Sequence, residues 1–206
     1  METGRAWALE VLGVEPLVGG RHAFMGTHNL VMRLDASAEA YLEILAVDPE
    51  AAGPGRARWF GLDEPGVAAG LGSGPRLLAW VARSDDLEGD RAGLLAAGFD
   101  PGPVFAAERD TPTGVLRWRI TIRDDGARLA GGAVPTIIAW DTPSPAVTLP
   151  ASGVSLERLV VRGGAGLGAV LVAAGAQMEE GTGPALRARL VGRGGEVELT
   201  VLSSRA

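Results

Sequence analysis

Residues 19–34 read GGRHAFMGTHNLVMRL, and the last six of them decide how the surrounding chain is read. Leu30, Met32 and Leu34 alternate with Asn29, Val31 and Arg33, the period of two that separates the faces of a strand. Glycines 19, 20 and 26 mark a turn-rich approach to that strand. His22 is therefore expected in a loop or at a strand end, and His28 near the start of the strand. Both histidines of the chain and its only asparagine fall in this stretch. Successive strand residues face opposite ways, so only one of His28 and Asn29 can enter a common cavity. Asn29 is the expected one, on the same side as Glu43 of the neighbouring strand.

Working outward, TGRAWALEVLG (3–13) reads as an amphipathic helix, with Trp7 and Val11 one turn apart and Gly13 placed to stop it. EPLVGGRH (15–22) supplies a short strand and AYLEILAV (40–47) another, rich in strand formers. The first unit is αβββ. A connection rich in proline and glycine follows, and then the strand RLLAWVARS (76–84) and a helix from SDDLEGDRAGLLAAG (84–98). Ser84 or Asp85 is the expected N-cap of that helix, and Gly98 follows its end. PVFAAERD, GVLRWRITIRDD and PTIIAWD give three more strands. In the second of these, Leu116, Trp118, Ile120 and Ile122 oppose Arg117, Arg119, Thr121 and Arg123. The second unit is thus βαβββ. VSLERLVVRG, the small-residue helix GLGAVLVAAGA (166–176), ALRARLVG and EVELTVL complete a third, βαββ. The expected boundaries are 1–75, 76–150 and 151–206, all within one compact unit.

A chain of 206 residues with 47% hydrophobic content can bury a substantial core. A net charge of -6, with both signs interspersed, gives no reason to bind nucleic acid or an anionic membrane. No apolar run approaches the roughly 20 residues that span a bilayer, and METGRAWALE lacks the features of a secretory signal. Cysteine is absent, which fits a cytoplasmic protein. All nineteen basic residues are arginine, so Schiff-base chemistry and a lysine base are excluded. GAGLG at 164–168 follows a strand, but without the full glycine spacing and later acidic residue it is no dinucleotide site.

The order of elements, the spacing from GTHN to YLEILAVDP, and the segments RWFGLD, LLAWVAR and LRWRIT resemble the bacterial glyoxalase-like domain family of the vicinal oxygen chelate superfamily, which also holds bleomycin resistance proteins and dioxygenases. The resemblance implies an α+β fold in which repeated βαβββ modules form a curved, mainly antiparallel, cup-shaped sheet with helices outside. It also implies a divalent metal held from the first and fourth strands of each module. Glu43 matches such a ligand position, whereas Trp80 and Trp140 occupy two others, where neither can bind a metal. The family's preceding leucine-aspartate-histidine strand, with its metal-ligand histidine, has no counterpart before the first helix.

These departures lead to a cup without a complete metal site, lined by Glu43, Asn29, Trp80, Trp140 and Arg119. Glu43 and Asn29 are the candidate catalytic residues, with Glu43 as a general base and Asn29 or Arg119 stabilising an oxyanion. His22, His28, Trp80, Arg119 and Trp140 are candidate substrate contacts. If a metal binds, Glu43 and His28 are its ligands. The readings are a small-molecule binder with lyase- or isomerase-type proton transfer and no cofactor, a metal-dependent glyoxalase or dioxygenase, and a non-catalytic resistance or sequestration protein. A homodimer is expected, because an incomplete first module leaves strand edges to cover.

Overall fold

The computed structural model describes residues 1–35, 39–111, 114–163, 167 and 175–201. Its first sheet has the antiparallel order β1 (Leu17–His22), β2 (Thr27–Arg33), β3 (Tyr41–Val47). Helix α1 (Glu2–Trp7) continues as a π-turn over Ala8–Leu12 and stops at Gly13, whose φ of 69° suits glycine. Gly4, Ala8 and Leu12 are its buried residues, spaced by four, whereas Trp7 and Val11 are only half-buried. Small residues lead this stripe because Ile44 of β3 lies directly against Gly4, where a Cβ would collide with it. The helix covers one face of the sheet, and the other face turns toward Trp118 and Ile138.

The second unit follows the expected βαβββ order. β4 (Val81–Arg83), α3 (Leu87–Ala96), β5 (Val104–Thr111), β6 (Gly114–Thr121) and β7 (Thr136–Trp140) form a sheet ordered β4-β7-β6-β5, in which only the β4–β7 pair is parallel. The strand expected over 76–84 contracts to three residues, and Trp80 precedes it. The N-cap of α3 is Asp86, which accepts from the Gly89 N–H at 3.1 Å. Ser84 is occupied elsewhere, donating to Asp90 at 2.6 Å. Two short helices absent from the sequence reading, α2 (Pro65–Leu71) and α4 (Pro145–Thr148), each start on a proline, whose fixed φ suits a first turn.

In the third unit β8 (Ser155–Arg162), β9 (Gln177–Glu179), β10 (Leu186–Gly192) and β11 (Gly195–Thr200) take the order β11-β10-β8-β9. The helix expected over 166–176 lies, but for Leu167, Gly175 and Ala176, outside the described residues. This order differs from that of the second unit, since β10 rather than the last strand lies beside β8. The sheet serves as a backing layer. Val161 and Leu186 pack with Trp80, Leu94 and Ile137 of the second unit, and Leu190 packs with Ala8, Leu12 and Met32 of the first. A third apolar cluster, including Met25, Leu45, Trp118, Ile120 and Ile138, joins the first sheet to the second. The result is a mixed α+β protein with open, curved sheets, and its candidate site lies beside that third cluster.

Candidate functional site

The two sheets leave between them a partly open cleft with a cavity of about 50 Å³, room for a few water molecules. His22, Asn29, Tyr41 and Glu43 reach it from the first sheet, and Arg109, Trp118 and Trp140 from the second. Its geometry starts with a bulge in β1. Val18 pairs with Leu30 and Arg21 with His28, so Gly19 and Gly20 together oppose Asn29. The Gly20 N–H turns inward and donates to Asn29 Oδ1 at 2.6 Å. A backbone N–H can only donate, which fixes the amide orientation. Asn29 Nδ2 then donates to Glu43 Oε1 at 2.6 Å.

Glu43 is half-buried and forms no ion pair with a described residue; its partner is the neutral amide. Burial raises its pKa, partly offset by the Asn29 hydrogen bond and the positive charge of Arg109. Burial likewise pushes the Tyr41 phenol up, with the Glu43 charge adding to the effect. His22 is 7% exposed, shares a 3.2 Å hydrogen bond with Thr27 through Nδ1, and presents its ring at 5.0 Å and 73° to Trp59. Its pKa falls to about 4, chiefly through burial and further through the charges of Arg109 and His28. The imidazole is therefore neutral near pH 7.

Arg109 supplies the positive charge. On β5, Phe105, Ala107 and Arg109 share a face, and the first two pack in the cluster between the sheets. The guanidinium lies against Gly20, where a Cβ would fall on Nη1. Nη1 is buried and has no hydrogen-bond partner among the described residues. Trp59 lines the same cleft, and its Nε1 is buried without a hydrogen-bond partner among the described residues. The adjoining Phe60 has a left-handed φ of 59° and stacks on Trp59 at 5.2 Å, which puts one strained backbone position at the cleft wall.

Of the residues singled out from sequence, His22, Asn29, Glu43 and Trp140 line the cleft together. His28 alternates to the opposite face of β2 and is not among the lining residues. Trp80 belongs to the core behind the second sheet and donates Nε1–H to the Ala133 carbonyl at 3.0 Å. Arg119 requires a correction as an inward residue. It is 44% exposed and bonds Asp141 at 3.0 and 3.1 Å. Trp118 and Ile120 of the same strand face the cleft, so the arginine between them must face away. The arginine that does enter, Arg109, was legible only as the third member of the Phe105–Ala107–Arg109 alternation. Tyr41 shared a face with Glu43 by the same rule, while Trp59 carried no periodic signal.

No group of three or more His, Asp or Glu side chains among the described residues could hold one metal ion. Glu43 and His22 share the cleft, but His28, the expected second ligand beside Glu43, faces away from it. The described side chains thus do not fit the metal site that the superfamily implies. No helix among the described residues is long and apolar enough to cross a membrane.

The family profile described as glyoxalase-like domain matches residues 1–165, covering the first two units and all of β8. The chain belongs to this glyoxalase-like domain family, and so to the vicinal oxygen chelate superfamily. No curated protein and no solved structure matches it.

Proposed function

We propose that the cleft binds a small organic molecule and that Glu43 moves a proton on it, a lyase- or isomerase-type reaction without a metal. The observation carrying this reading is a desolvated carboxylate held by a neutral amide and kept apart from the cation it faces. Such a carboxylate is a stronger base than one in water. In the reaction Glu43 takes a proton from a carbon beside a carbonyl group. The electrons of the broken C–H bond pass to the carbonyl oxygen, giving an enolate. The Arg109 charge stabilises that oxyanion, and return of the proton from Glu43 to the same carbon, from which it left, re-forms the carbonyl group and completes the turnover. Asn29 positions the base through its bonds to Glu43 and Gly20.

The test is exchange in deuterated water. Small carbonyl compounds incubated with the protein should lose C–H signal by NMR, and Glu43→Gln should abolish the loss while retaining the fold by circular dichroism. Undiminished exchange in Glu43→Gln would remove Glu43 from the chemistry. Saturable binding with no exchange would leave sequestration as the function.

A further inference from the structure

We infer that the ligand is a small carboxylate monoanion anchored on Arg109, an assignment that rests on the reading of the cleft as a small-molecule site. The neighbours of Arg109 in its own sheet are all matched. Arg83 pairs with Asp85 at 3.0 Å, Arg117 with Glu108 at 3.0 Å, and Arg119 with Asp141 at 3.0 Å. Arg109 forms no ion pair or hydrogen bond with a described residue, although Glu43 lines the same cleft. The carboxylate that could have neutralised it is instead turned to Asn29. A guanidinium in a partly desolvated position without an acceptor is costly, and an incoming carboxylate would remove that cost through a paired hydrogen bond.

The other properties of the cleft narrow the class. Arg109 is the one arginine among the described residues that line it, and His22 is neutral near pH 7. One cation matches one negative charge, and Glu43 opposes a second. The cavity is small, and Leu116, Trp118 and Trp140 offer apolar contact to an alkyl or aryl remainder.

Calorimetric titration can decide this with 2-oxobutanoate, levulinate and phenylpyruvate, their methyl esters and inorganic phosphate. At least one acid should bind about tenfold or more tightly than its ester, and Arg109→Met should lower that acid to the level of the ester while leaving the ester unchanged. Equal binding of acid and ester, or an Arg109→Met protein that keeps the preference, would overturn the carboxylate assignment and leave the small-molecule reading standing. Phosphate binding as tightly as the best acid would also overturn it. Binding of none of these compounds would overturn both. Should Arg109→Met fail to fold, the acid-to-ester ratio of the unaltered protein decides alone.

Discussion

Asn29 ties the Glu43 carboxylate to the backbone of β1, accepting from Gly20 N–H and donating to Glu43 Oε1, each at 2.6 Å. Asn29→Leu leaves a backbone N–H and a carboxylate without partners at one stroke. Each such loss costs about 1–3 kcal/mol. Urea denaturation of Asn29→Leu should show a loss of about 2–6 kcal/mol, and its proton exchange should fall with Glu43 still present.

The raised pKa of Glu43 has a stability counterpart. Because the folded pKa lies above the ordinary value of 4.5, the protonated state is favoured by folding, and stability is lost as pH rises through the folded pKa. Glu43→Gln keeps the shape and an acceptor for Asn29 but carries no charge. Its melting temperature should exceed that of the unaltered protein at pH 8, and the difference should vanish below pH 4. A constant difference across that range would show that desolvation of the carboxylate is not the cause.

His22 behaves in the opposite sense. Its pKa is depressed from 6.5 to about 4, so folding favours the neutral ring, and the associated stability is present above 6.5 and lost as pH falls toward 4. The shift corresponds to about 3 kcal/mol at the acid end. Chemical denaturation at pH 7 and pH 4 should show this decline, and His22→Gln should show a smaller one. NMR titration of the His22 ring gives an independent check.

Gly20 has two duties, in the β-bulge and beneath the Arg109 guanidinium. Gly20→Ala places a methyl group where Nη1 lies and forces the arginine away. A cost of about 1–3 kcal/mol is expected from overpacking, together with a loss of carboxylate preference resembling that of Arg109→Met. Calorimetry on Gly20→Ala measures both the thermal stability and the ligand preference.

Arg119 serves as the control. Its ion pair with Asp141 is exposed, and solvent screening leaves such pairs little weight in stability. Arg119→Ala should leave proton exchange and ligand affinity unchanged and the denaturation midpoint nearly so. A large loss of binding would place Arg119 at the cleft after all.

The period-two pattern of NLVMRL and AYLEILAV was enough to assign two strands of the first sheet and to put Asn29 and Glu43 on one face, because side-chain direction in a strand follows from local backbone geometry. The same rule, applied strictly to LRWRIT, already set Arg119 opposite Trp118. Glycine and proline signals likewise marked the stop of α1 at Gly13 and the turn after α3 at Gly98, both with positive φ. Local pattern does not say which face of one sheet will meet which face of another. That was decided by three apolar clusters packing together, with the third sheet closing the back of the first two. Only this packing carried Arg109 across to Gly20, sent Trp80 into the core and brought Trp59 to the cleft. These contacts join segments far apart in sequence, and burial at the sheet interface, rather than any local preference, determines them.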